Sequence, residues 1–140
     1  MRRNNNFVNF AGILRYIPNA VAMVQGGEIY PDIGGSVRLY DTAYGTVVFA
    51  EIVGLPLGQV GEERSFGFCI CSGDSCSERL TSLSGSGGIA FLAFLTDRFR
   101  VEDIIGRTVV IYDCPNDPAS LSAGNAGVKI ACGEIVAVRR

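Results

Sequence analysis

The sequence predicts an all-β domain made of short antiparallel strands, and three observations lead to that fold class. Apolar, β-favouring runs recur at short intervals, glycine-rich breaks separate them, and no pattern of strands alternating with long helices is present. The composition of 48% hydrophobic and 19% charged residues, with 18 glycines, is that of a packed globular protein with many turns. We therefore expect a single antiparallel sandwich or barrel.

The individual elements follow from the apolar runs and the breaks between them. Residues 101–105 are expected to form one helical turn, and the small polar residues 81–88 and the glycine-rich residues 115–127 are expected to form loops. Seven or eight strands with almost no helix is the predicted total. The runs that favour strands are residues 20–24, 36–41, 46–53, 65–71, 89–96, 108–112 and 129–138.

The chain divides into an N-terminal arm, residues 1–19, and a domain, residues 20–140. Apolar residues in the arm have a weak helical spacing that Pro18 limits. The arm is expected to pack either on its own domain or on a second copy of the chain. The sequence shows no signal peptide and no transmembrane segment, so a cytoplasmic protein is the expectation.

Charge and composition exclude several classes of function. A net charge of −2 and a pI near 5.1 provide no basic surface for phosphate, so neither nucleic acid nor a membrane is an expected partner. The chain contains no histidine. This removes the usual general base near neutral pH, the commonest zinc and copper ligand, and any Ser-His or Cys-His nucleophilic pair.

The most informative stretch is residues 66–71, which alternates small or sulfur-containing residues with bulky apolar ones. In an extended strand Cys69 and Cys71 lie on one face, about 6.6 to 6.8 Å apart, while Phe68 and Ile70 lie on the other. Such a pair can be two metal ligands, two redox groups or two small buried side chains. With five cysteines in the chain, at least one is unpaired within a monomer.

Three motifs in this order resemble the copper/zinc superoxide dismutase family. They are Gly-Phe-Cys-Ile-Cys at 67–71, Ile-Ile-Gly-Arg-Thr-Val-Val-Ile-Tyr at 104–112, and Gly-Asn-Ala-Gly-Val-Lys-Ile-Ala-Cys-Gly at 124–133. The resemblance extends from about residue 20 to residue 135. It implies an eight-stranded Greek-key β-barrel, which agrees with the strand count, and a homodimer.

The resemblance also implies roles for individual positions. The family's strand carries two copper-binding histidines where this chain has Cys69 and Cys71, and a further copper histidine where it has Tyr112. The family's bridging and zinc histidines belong to a loop that here, at residues 77–88, contains none. Lys129 occupies the place of the arginine that guides superoxide, and the family's intrasubunit disulfide corresponds to Cys76 and Cys132.

Without histidine, ordinary superoxide dismutation is not expected, and no catalytic residue is assigned beyond Lys129 at the anion-guiding position. The prediction is a superoxide dismutase-like domain without cofactor, kept as a structural or interaction module. One alternative is a soft site in which Cys69, Cys71 and Cys114 bind copper or zinc through thiolates. Thiol redox chemistry and residual superoxide dismutase activity are the others.

Overall fold

A computed structural model describes residues 10–57, 64–73, 75–85, 87–113 and 128–138. Its main feature is one antiparallel sheet, so the all-β prediction is confirmed. Two single-turn helices, α1 (Phe10–Ile13) and α2 (Val101–Ile104), accompany the sheet. The strands are β1 (Ala20–Gly26), β2 (Gly34–Thr42), β3 (Gly45–Val53), β4 (Arg64–Ser72), β5 (Ser75–Gly85), β6 (Ala90–Thr96), β7 (Thr108–Asp113) and β8 (Val128–Ala137).

The order of strands across the sheet is β5-β4-β7-β8-β1-β2-β3-β6. Four neighbouring pairs are consecutive in the chain, namely β4 with β5, β7 with β8, β1 with β2, and β2 with β3. The pairs β3 with β6, β4 with β7 and β1 with β8 join strands that are distant in sequence. The outermost strands β5 and β6 contact each other, so the sheet curls around its inner face.

The inner face of the curled sheet carries one continuous hydrophobic core. Alternation along β4 directs Phe66, Phe68 and Ile70 inward, where all three are almost fully buried. Residues of β2 do the same, since Val37 and Leu39 lie in this core. The residues between these positions therefore face outward, and this alternation positions the candidate site described below.

Strand β5 (Ser75–Gly85) is the element that the sequence pattern missed. Residues 81–88 were expected to form a loop, but residues 81–85 belong to this strand, which pairs with β4 from Arg64↔Gly85 to Ser72↔Ser75. The backbone hydrogen bonds of the β4–β5 ladder stabilise a strand whose serine-rich sequence has little hydrophobic periodicity. The loop prediction for this region is therefore wrong.

The two helices attach to the sheet through specific contacts. Ile13 of α1 packs on outward-facing residues of β2 and β3, so the described part of the arm contacts its own domain. Helix α2 forms at the predicted place, where the backbone N–H of Val101 donates to the Asp41 carboxylate at 3.1 Å. No helix among the described residues has the length and apolar character needed to cross a membrane.

Candidate functional site

The candidate site is a small cluster on the outward face of β4, β7 and β8, separate from the main core. It consists of Cys69, Cys71, Val110, Tyr112 and Cys132, which we call the cysteine cluster. Although they face outward, Cys69 is only 6% exposed and Cys71 only 1%. The site is therefore a second buried layer outside the sheet.

Strand register brings these residues together. Cys69 on β4 pairs with Val110 on β7, and Val110 pairs in turn with Cys132 on β8. Cys69 and Cys132 are thus two strands apart, or about 10 Å, with the Val110 side chain between them. Tyr112 follows Val110 by two residues and joins the same cluster.

The predicted division of the β4 side chains between two faces is confirmed. Phe68 and Ile70 belong to the main core, whereas Cys69 and Cys71 belong to the cysteine cluster. The pattern of alternating residues was sufficient because β4 is paired with β7 without a register shift. The two positions that the resemblance assigns to copper ligands, Cys69 and Cys71, thus lie on the same, outward face of β4.

The disulfide between Cys76 and Cys132 that the resemblance implied is not formed, because Cys132 is a free thiol. The sheet order explains this difference. Cys76 belongs to β5 and Cys132 to β8, with β4 and β7 between them. Three steps of about 4.8 Å separate the two strands by roughly 14 Å, whereas a disulfide needs Cα atoms within about 7 Å.

The oxidation states of the remaining cluster cysteines differ. Cys69 is a thiol, whereas Cys71 is disulfide-bonded. The sulfur of Cys71 is therefore not a thiolate ligand in this state. This difference separates two residues that the sequence placed together as one candidate pair.

Tyr112 occupies the place of a copper-binding histidine in the resemblance, and it is half-buried beside Cys69. Burial raises the pKa of the Tyr112 phenol above its usual value of 10.0, and the negative charge that Cys69 can carry raises it further. Tyr112 therefore keeps its proton at neutral pH. A protonated phenol donates a hydrogen bond but is a poor metal ligand.

Lys129, at the predicted anion-guiding position, is exposed on β8 and pairs with Tyr112 of β7. The structure thus places a cation at the edge of the cysteine cluster. Cys114, the third member of the predicted soft metal set, lies outside the described residues. Within the described ranges, no group of three or more Cys, Asp or Glu side chains is arranged to hold a metal ion.

Sequence reasoning missed the place of Cys132 in the cluster. A register shift occurs between Ile111 and Tyr112, because these residues pair with Ala131 and Lys129 and skip Ile130. Such a bulge changes which residues share a face, and both Ile130 and Ala131 are buried in the main core. Simple alternation along residues 128–137 therefore assigns the faces of β8 incorrectly.

Comparison with known proteins identified no relative of this chain. Neither a scan against protein-family models nor a search of curated proteins found a match for the chain.

Proposed function

We propose that this chain is a superoxide dismutase-like domain in which packed side chains fill the copper position, and that it acts as a structural or interaction module. The observation that carries the proposal is the cysteine cluster itself. Cys69 and Cys71, at the places of two copper-binding histidines, are buried against Val110 and Tyr112. Close packing of apolar and sulfur-containing side chains is what a structural position requires.

The strand order supports the family assignment within this proposal. Pairing of β3 with β6 and of β4 with β7 is the arrangement that Greek-key connections produce in antiparallel barrels. The eight strands of the described sheet match the number that the resemblance implies. The proposed architecture is accordingly an eight-stranded Greek-key barrel of the superoxide dismutase type.

The chemistry of the cluster supports a role without metal turnover. The chain has no histidine to hold copper in both oxidation states or to transfer protons near neutral pH. The raised pKa of Tyr112 works against the phenolate that metal binding by this residue would need. Lys129 retains a positive charge at the rim, but a single exposed cation has little effect without a reacting centre.

A homodimer is part of the proposal. Several large apolar side chains are exposed on the described strands, among them Met23 on β1, Val53 on β3 and Phe91 on β6. Apolar surface of this kind favours association, and most soluble homo-oligomers are two-fold dimers. Size-exclusion chromatography with light scattering across the micromolar range should give twice the monomer mass; a monomer mass throughout would contradict this part.

The experiment that tests the proposed function measures metal binding and superoxide decay in the same preparation. The full chain is purified without chelator or affinity tag, supplied anaerobically with Cu(I) or with Zn²⁺, and freed of unbound metal. We expect less than about a tenth of an equivalent of bound metal, since a preformed thiolate site would bind tightly. Superoxide decay should equal that in buffer alone.

Two results would favour the alternatives over the proposed function. One equivalent of bound Cu(I) or Zn²⁺ that disappears in a Cys69→Ser, Cys71→Ser variant would identify the thiolate site. Copper-dependent superoxide decay that this variant loses would identify residual dismutase activity. A Cys132→Ser variant is the matched control, because it removes a thiol of the same cluster that is absent from the predicted metal set.

A further inference from the structure

The resemblance does not explain one covalent bond on strand β4. Cys71 is disulfide-bonded, whereas Cys69 and Cys132 are thiols. The chain contains five cysteines, so the remaining residues are Cys76 and Cys114. The strand register indicates which of these two cysteines is the partner of Cys71.

Chain connectivity argues against Cys114 as the partner of Cys71. Asp113, the last residue of β7, pairs with Phe66 near the start of β4. Phe66 and Cys71 are about 16 to 17 Å apart along the strand. Because Cys114 follows Asp113, its Cα atom is within about 3.8 Å of that of Asp113. The Cα atoms of Asp113 and Cys71 are on the order of 17 Å apart, and one further step of about 3.8 Å along the chain is too short to bring a residue within the roughly 7 Å that a disulfide needs.

The β4–β5 hairpin brings Cys76 to the required place. Ser72 pairs with Ser75 at the end of the hairpin, and Gly73 adopts a positive φ of 59° in the turn. Cys71 precedes Ser72 on β4 and Cys76 follows Ser75 on β5. Because Ile70 pairs with Glu78, a register shift leaves Cys76 and Ser77 together opposite Cys71, and Cys76 is the one adjacent to the Ser72↔Ser75 pair. Cα atoms of facing antiparallel residues are about 4.5 to 5.5 Å apart, within the range of disulfides.

We propose that Cys71 and Cys76 form a disulfide that closes the β4–β5 hairpin. This bond differs from the one that the resemblance implies, and it depends on neither the proposed role as a module nor its lack of metal. Formation requires a small-molecule disulfide as oxidant. The two cysteine thiols lose two protons and two electrons to form the S–S bond, and the oxidant is reduced to two thiols.

The bond has two consequences for the cysteine cluster. It anchors the outermost strand β5 to β4 beside the cluster, and it removes the Cys71 thiol from any set of soft ligands. Reduction restores a thiol at Cys71, two residues from Cys69. Because Cys71 is 1% exposed, a reductant reaches it only when the hairpin opens locally.

Sequential labelling of the full chain tests the proposed pairing. The protein is treated with oxidised glutathione, unfolded in denaturant with iodoacetamide, then reduced and treated with N-ethylmaleimide. Cleavage at Asp74, between the two cysteines, and fragment mass spectrometry then assign each label. We expect maleimide on Cys71 and Cys76, and the acetamide label on Cys69 and Cys132.

Two single variants supply the controls. In Cys76→Ser, Cys71 should carry the acetamide label, whereas in Cys132→Ser both Cys71 and Cys76 should keep maleimide. Acetamide on either Cys71 or Cys76 of the unsubstituted protein would overturn the proposal. Loss of maleimide from Cys76 in Cys132→Ser would also overturn it, because that result identifies a bridge between Cys76 and Cys132. Labelling in denaturant keeps these outcomes readable even for a variant that folds poorly.

Discussion

Two outward-facing clusters of the same sheet show how differently buried layers can be built. The first, which we call the aromatic cluster, consists of Tyr40, Val47 and Phe49 on β2 and β3, with Ile13 of α1 and Ala93 packed against them. The second is the cysteine cluster on β4, β7 and β8. Both lie outside the main core, so burial on the outward face alone does not indicate a functional site.

The two clusters differ in their side chains. In the aromatic cluster the rings of Tyr40 and Phe49 meet edge to face, with centroids 5.9 Å apart and planes at 86°. The cysteine cluster has sulfur atoms and a phenol whose pKa is raised. The aromatic cluster attaches the N-terminal helix, whereas the cysteine cluster lies where the resemblance implies copper. Both clusters are therefore packed layers, but only the cysteine cluster contains thiol groups that can react.

The largest expected effect belongs to Phe49→Ala in the aromatic cluster. Truncating a buried aromatic ring leaves a cavity and should lower the free energy of unfolding by about 3 to 5 kcal/mol. Phe91→Ala is the matched control, because Phe91 is 63% exposed and its ring is only tilted against Phe49 at 6.4 Å. Urea denaturation measures both; equal losses would contradict the assignment of Phe49 to a buried layer.

A smaller loss is expected for Ile13→Ala. Ile13 is half-buried against the aromatic cluster, so about half of a full core truncation, roughly 1 to 2 kcal/mol, should be lost. Leu14→Ala, at the adjacent and more exposed residue, serves as the comparison. If Ile13→Ala is no more destabilising than Leu14→Ala in urea denaturation, the helix does not stabilise this face.

For the cysteine cluster, Cys69→Ala should cost about 1 kcal/mol, as expected for the loss of one buried heavy atom. The same loss should be measured with and without a metal chelator, because the cluster is proposed to pack without metal. Cys132→Ala should cost less, since Cys132 is only half-buried. A loss for Cys69→Ala that vanishes in chelator would show that the thiol contributes through a metal.

The smallest effect concerns the ionisation of Tyr112. Its pKa is raised by burial and by Cys69, so its neutral form is favoured in the folded state. This contribution to the free energy of unfolding is fully present at pH values below the ordinary pKa of 10.0. It is lost as the pH rises through the higher pKa that Tyr112 has in the folded state.

Cys69→Ser should lower the pKa of Tyr112 only in part, because burial is the larger cause. Near-ultraviolet titration of tyrosinate, with Tyr112→Phe subtracted, measures this change. An unchanged pKa in Cys69→Ser would contradict the proximity of the two groups.

The sequence was sufficient where side chains alternate and each face has its own hydrophobic layer. Strand β4 satisfied this condition, and its residues face the predicted sides. Strand β5 did not, because its residues are mostly polar and its pairing with β4 is made by the backbone. A pattern of hydrophobicity carries no signal for such an edge strand.

Long-range register explains the rest of what the sequence left open. The bulge at Ile130 allows Lys129 and Cys132 to lie on the same outward face, and no local pattern indicates it. Gly133, part of a motif on which the resemblance depends, is required because a side-chain carbon there would collide with the Met23 carbonyl of β1. The motif in the sequence includes this glycine, but the reason why no side chain fits there is the close contact between β1 and β8.

The most direct test of the proposal that packed side chains fill the copper position is the thermal unfolding of metal-free protein before and after anaerobic addition of Cu(I). A ligand that binds the native state raises the midpoint by mass action. We predict identical midpoints and a fully folded metal-free protein. A midpoint that rises with one equivalent of Cu(I), and does not rise in Cys69→Ser, would contradict the packed, metal-independent cluster.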